Sequence, residues 1–202
     1  MTDDQWYEEA REICLKRLDR RANTRSELAA ALDSKGVPEQ VREAVLDRLT
    51  EVGLVDDADF ANRWIASRHG ARGLSRRAVA VELSRKGVDS QIIEDATSQI
   101  TEADELDAAT ELAVNKLRAG RGVEEARLTR RVLGALARKG YGPQVCWAAI
   151  RAAREELGEE PPRSADDRPL RLRSYRLPLT SVFLAPTSGG RRCSSESGCE
   201  EG

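Results

Sequence analysis

The chain has 202 residues, 34% of them charged and 4% aromatic, and its 33 Lys and Arg nearly balance 35 Asp and Glu for a net charge of −2. That balance argues against a polyanion binder working through total charge, and the scarcity of aromatics means that any core is built from Leu, Val, Ile and Ala. A single histidine, His69, and four cysteines without a CxxC pair remove most metal and hydrolase designs.

Taken in chain order, a first helix is predicted from Asp3 to Arg21, burying Trp6, Ala10, Ile13, Cys14 and Leu18. Thr24-Arg25-Ser26-Glu27 reads as a capping box for a second helix. That helix carries Leu28 and Leu32 and stops at Lys35-Gly36-Val37, after which Pro38 opens a third helix with Val41 and Val45. The same order then repeats. Gly53-Leu54-Val55-Asp56-Asp57 supplies capping aspartates for a helix with Phe60, Ala61, Trp64 and Ile65, whose i, i+4 aromatics read as core. The next helix carries Val79 and Leu83 and stops at Lys86-Gly87-Val88; Ile92 and Ala96 mark its successor. A third round begins with a helix over 103–119 holding Leu106, Ala109, Leu112, Ala113 and Leu117, with a Gly120-Arg121-Gly122 loop after it. Val132 and Leu136 then lead to Lys139-Gly140-Tyr141, and Pro143 opens the ninth helix with Val145 and Ala149.

The glycines of the three Lys-Gly steps lie 51 and 53 residues apart, so the chain is an internal repeat. Each step pairs an apolar residue before the lysine with one after the glycine: Leu32 with Val37, Leu83 with Val88, Leu136 with Tyr141. That is the apolar contact of a Schellman stop, with glycine in the left-handed position. The lysine also complements the negative helix end, so capping alone accounts for much of its presence. The expectation is an all-α fold of three tandem three-helix repeats, 1–52, 53–102 and 103–157, stacked on one another because units of this size bury little surface alone.

From residue 158 to 202 the sequence is rich in Pro, Ser and Arg without helical period and is expected to be a disordered tail. A short recognition segment around Leu177–Leu184 is its functional alternative. Cys14 and Cys146 read as small core side chains, while Cys193 and Cys199 fall in the tail. The acidic, polar start Met1–Glu9 does not resemble a signal peptide, and the longest uncharged run, Leu177–Gly190, is too short to span a bilayer. A cytoplasmic protein, monomeric and free of membrane, is expected, with no cofactor and no metal.

Charge is segregated along the chain. Residues 1–60 carry 9 basic and 15 acidic side chains, 63–87 carry 7 and 1, 89–112 carry none and 8, and 116–139 carry 8 and 2. Aligned on the glycine, Arg77 matches Arg130 and Arg85 matches Arg138, where the first repeat has Ser26 and Ser34. At 100° per residue these arginines oppose Val79 and Leu83 and should face solvent. Arg68, Arg72 and Arg76 lie just before or at the start of the second repeat's middle helix, and Arg127 and Arg131 lie beside the third. With Lys86 and Lys139 they make the candidate partner-binding set, able to meet acidic side chains or phosphates. Internal pairing with the acidic run Asp89–Glu111 is the main competing use. His69 has no evident partner and reads as a surface residue.

The block Gly53-Leu54-Val55-Asp56-Asp57-x-x-Phe60-Ala61-x-x-Trp64, continued by Ser75-Arg76-Arg77-x-Val79-x-x-Glu82-Leu83-x-x-Lys86-Gly87-Val88, resembles the RecX family. Flanking copies at Lys35-Gly36 and Lys139-Gly140 support it, and the resemblance covers about residues 8–156. It implies a curved, elongated array of three-helix repeats without an active site. It also implies binding along the groove of the RecA–DNA filament on single-stranded DNA, with weak direct DNA contact. Inhibition of the recombinase's ATPase and strand exchange is implied as well, and hence modulation of recombination, repair and the SOS response. The rival reading is a DNA-binding transcriptional regulator of helix-turn-helix type, with Arg76-Arg77 or Arg130-Arg131 entering a groove. No phosphate-binding loop of the Gly-x-x-x-x-Gly-Lys type is present, which argues against an ATPase.

Overall fold

In the computed structural model, residues 2–159 are described. They hold nine α-helices and no strand: α1 (Asp3–Arg20), α2 (Arg25–Asp33), α3 (Glu39–Glu51), α4 (Asp57–Ile65), α5 (Arg76–Arg85), α6 (Ser90–Ser98), α7 (Glu102–Ala119), α8 (Glu125–Arg138) and α9 (Pro143–Glu156). The tail expected from residue 158 lies, apart from Gly158 and Glu159, outside the described residues, as do Cys193 and Cys199. No described helix is long and apolar enough to cross a membrane.

The starts of most helices are fixed by side chains that take up free amides. Thr24 with Glu27 forms the expected capping box, and Thr2 with Gln5 and Thr101 with Asp104 form two more. Asp56, Ser75 and Asp89 cap α4, α5 and α6 singly. Pro143 is the first residue of α9, as expected, whereas Pro38 sits one place outside α3.

The Lys-Gly steps are Schellman stops in their hydrogen bonds as well as their sequence. The amides of Val37, Val88 and Tyr141 donate to the carbonyls of Leu32, Leu83 and Leu136 at 3.2, 3.3 and 3.3 Å. The amides of Gly36, Gly87 and Gly140 donate to Asp33, Ser84 and Ala137. The three glycines have φ of 73°, 73° and 91°, a region that L side chains avoid. All six apolar residues of the pairs are buried.

Helix packs on helix within a repeat, and each repeat owns a core. Ala10, Cys14, Leu28, Leu32, Val45 and Leu46 centre the first; Phe60, Ala61, Val79 and Leu83 the second; Ala109, Ala113, Val132, Leu136, Ala149 and Ile150 the third. Trp6, Ile13 and Leu18 on α1 and Trp64 and Ile65 on α4 are only partly buried, because each first helix is covered on one side. Cys14 and Cys146 are buried and form no disulfide among the described residues, and burial pushes both thiols up to about 11, which keeps them protonated and unreactive.

After Ile65 the chain continues as a π-helical turn, Ala66–Gly70. This places His69 so that its Nδ1 lies 2.7 Å from the Leu74 carbonyl. His69 is therefore half-buried and holds the 69–74 turn, a correction to its reading as a partnerless surface residue. The periodicity of α4 gave no sign of the extra residue that brings this ring inward.

Candidate partner-binding surface

The surface is positioned by two junctions built on one plan. In the first, the end of α5 abuts the start of α2: the Thr24 hydroxyl donates to the Lys86 carbonyl at 2.7 Å while accepting the Glu27 amide. Lys86 Nζ reaches Glu27 at 2.8 Å and lies over the rings of Trp64 and Phe60. In the second, the end of α8 abuts the start of α5: the Ser75 amide donates to the Lys139 carbonyl at 3.0 Å. Lys139 Nζ donates to the Arg72 carbonyl at 2.6 Å, and the Tyr141 hydroxyl to the Gly73 carbonyl at 3.1 Å. The electropositive start of one middle helix thus meets the electronegative end of the next.

A second contact recurs at both junctions. The backbone amide of Arg25, first residue of α2, donates to Asp57 at 2.9 Å, and that of Arg76, first residue of α5, donates to Glu105 at 3.0 Å. Burial raises the Asp57 carboxyl above its ordinary range against the pull of the Arg25 amide, with neighbouring Asp56 and Glu27 adding to the rise. A raised carboxyl favours folding at acidic pH, and that contribution is lost as pH climbs through the folded-state value. Asp57→Asn keeps an oxygen acceptor without the charge. The variant is expected to match or exceed the parent in stability at pH 7, with its relative advantage shrinking on acidification; urea titrations at pH 7 and pH 4 check this.

The junctions sort the candidate residues. Lys86 and Lys139 are consumed in them, and Arg68 is taken up within the second repeat, 3.0 Å from Glu82 and stacked 4.2 Å from the Trp64 ring centre. Trp64 Nε1 donates to the same Glu82 carboxylate at 2.9 Å. The other eight, Arg72, Arg76, Arg77, Arg85, Arg127, Arg130, Arg131 and Arg138, are all exposed, and none forms an ion pair among the described residues. The acidic run 89–111 does not neutralise them: Glu105 takes the amide of Arg76 rather than its guanidinium. In the first repeat, by contrast, five of seven arginines (Arg11, Arg21, Arg25, Arg42 and Arg48) are paired, and only Arg17 and Arg20 stay without an ion pair among the described residues.

On α5 the exposed sequence Arg77, Val81, Arg85 runs at i, i+4, i+8, and on α8 the matching places hold Arg130, Gly134, Arg138. Val81 is 44% exposed, an apolar spot between two cations. A Cβ built on Gly134 would meet only the tip of Arg138, at 3.4 Å. Mid-helix glycine costs about 1 kcal/mol relative to alanine, so Gly134→Ala should raise stability by about that amount in denaturant titration. What the glycine provides is backbone open to close approach between two guanidinium groups.

Residues missed from the sequence are the ones that hold this frame. In the sequence Thr24, Ser75, Glu82, Asp57 and Glu105 are legible at most as caps or surface acids, and no local pattern marks Arg154, which is buried with its guanidinium on Glu125 and Thr129. Their partners lie 18 to 64 residues away, beyond any helical period.

Three-helix units joined end to end, with a basic face on the second and third, define a helical-repeat protein. Comparison with known proteins sharpens that class. The model of the first three-helix domain of RecX matches residues 10–49, the second 56–96 and the third 102–150. The regulatory protein RecX of Streptomyces coelicolor is 44% identical over 160 residues, covering 79% of this chain and 85% of that one. That of Thermobifida fusca is 46% identical over 154 residues, covering 76% and 82%. The crystal structure of RecX from Lactobacillus salivarius superposes with a TM-score of 0.67 at 19% identity, covering 74% of this chain and 97% of that one, and so shares the fold. The chain belongs to the RecX family of regulatory proteins.

Proposed function

We propose that this chain inhibits the RecA recombinase by binding the RecA–DNA filament through the arginine faces of α5 and α8. Bound there, it suppresses ATP hydrolysis and strand exchange without chemistry of its own, and it does so in the cytoplasm, as a monomer. The observation that carries the reading is the contrast between repeats. Five of the seven arginines in the first are paired at home, Arg17 and Arg20 excepted, while eight in the second and third are exposed and unpaired among the described residues. Guanidinium groups left open on a fixed frame suit carboxylates or phosphates, to which they can bind in bidentate fashion.

The three-unit frame supports an extended contact over the single recognition helix of a transcriptional regulator. Recombinase ATPase on single-stranded DNA, titrated with this protein at moderate salt, tests the proposal. Suppression is expected; tight sequence-specific binding to bare duplex with no effect on the filament would replace it with the rival reading.

A further inference from the structure

Among the described residues there are three Lys-Gly helix stops but only two places for them to dock. Lys86-Gly87 meets the first turn of α2, where a Cβ on Gly87 would fall 2.1 Å from the Ser26 hydroxyl oxygen. Lys139-Gly140 meets the first turn of α5, where a Cβ on Gly140 would fall 2.5 Å from that of Ser75. Lys35-Gly36 ends α2 with the same hydrogen bonds and the same backbone. Yet among the described residues nothing lies within 4 Å of a Cβ built there, and Ser34, Lys35 and Gly36 are exposed.

We infer that this end of α2 docks the first turn of a helix on the protein partner, one opened by Ser or Thr and carrying a carboxylate in that turn. The first internal junction specifies that chemistry, and the second shares its capped helix start, with Lys139 turned to the Arg72 carbonyl in place of a carboxylate. A stop of this kind offers an outward carbonyl, a negative helix end and a lysine. At the first junction these take, in order, a Thr hydroxyl, a positive helix start and the third-residue Glu27. At the second the carbonyl takes the amide of a Ser cap.

Both internal seats are the starts of middle helices, and a second copy of this chain leaves no such start open among the described residues; its other Thr-capped starts, at Thr2 and Thr101, belong to first helices. Thr24 and Ser75 stand 12 residues before their glycines, and the residue 12 before Gly140 is Leu128. α8 starts earlier, at Glu125, behind a residue that makes no side-chain cap, and Leu128 is packed where a Cβ on Gly120 would lie 2.2 Å away. The third repeat therefore closes the array, and the open position at Lys35-Gly36 calls for a different protein. In identifying that protein with the recombinase, the inference rests on the filament reading above.

The test places a photoreactive benzophenone side chain at position 34 of the full-length protein, with a second protein labelled at position 81 as reference, each mixed with RecA filaments on single-stranded DNA. Mass spectrometry should locate adducts from position 34 in the first turn of a RecA helix headed by Ser or Thr. Adducts elsewhere on RecA, adducts to any part of another copy of this chain, or none while position 81 labels the filament would overturn the docking point alone. Failure of both positions to label RecA would overturn the filament reading, and this inference with it. In parallel, Lys35→Glu should lower filament affinity about tenfold with an unchanged melting temperature, an effect in the range expected for reversing one interfacial charge; unchanged affinity would count against the docking point.

Discussion

Replacing Arg77 and Arg130 together by glutamate is expected to leave the protein folded and to weaken its hold on the filament by on the order of 100-fold, about 3 kcal/mol. Folding should survive because both side chains are exposed and neither forms an ion pair among the described residues. Arg77 lies in the first turn of α5, where glutamate suits the helix dipole better than arginine does. Arg130 bonds only the Ala126 carbonyl of its own helix, at 3.2 Å. Binding should suffer because two equivalent positions, one on each repeat, reverse sign at once. The measurements are far-ultraviolet circular dichroism with a melting curve, and inhibition of recombinase ATPase as a function of protein concentration. The salt dependence of the remaining binding should also flatten. Inhibition unchanged in a folded double variant would remove these arginines from the contact.

The second large effect concerns glycines that look alike. Gly36, Gly87 and Gly140 all have positive φ, so alanine at any of them meets backbone strain of about 1–2 kcal/mol. At Gly36 that strain is all that arises, since the space is open. At Gly87 the new methyl also drives into the side chain of Ser26, forcing the junction apart or the helix end aside, and overpacking of this kind adds about 1–3 kcal/mol. Gly87→Ala should therefore lose about 2–5 kcal/mol and Gly36→Ala about 1–2 kcal/mol in urea titration. Equal losses would mean that the junction yields freely and does not fix one repeat against the next. Ser26 is itself exposed on its outer side, so the double variant Gly87→Ala with Ser26→Gly should recover part of the difference.

How far the sequence carries depends on the range of the interactions involved. Helix ends are decided within five residues, by Thr24 against Glu27 or Leu83 against Val88, and these were legible with the bounds of α1 and α7 to within a residue. The exposure of Arg77, Arg85, Arg130 and Arg138 comes from helical phase against Val79 and Val132, and it too was legible. Which cations stay open was not. Lys86 and Arg85 are neighbours of like charge, yet the first is drawn to Glu27, 59 residues away, and the second is not. Lys139 likewise turns to a carbonyl 67 residues back. Such choices are made by how repeats stack, and a repeat pattern announces stacking without saying which side chains it uses up. His69 was misread for a similar reason, since one π-helical turn changed the direction of its ring.

The direction of the two junctions has a consequence for how the protein is made. Each Lys-Gly stop docks on a helix start that lies earlier in the chain: Lys86 on Thr24, Lys139 on Ser75. Thr24 and Glu27 already satisfy one another within the first repeat, so the cap that receives Lys86 is in place before the second repeat is made. A chain leaving the ribosome amino end first thus presents each new repeat with a finished seat and never has to hold an unfinished one open for a later segment. The geometry lets assembly follow the order of translation, with the third repeat seated last of the three.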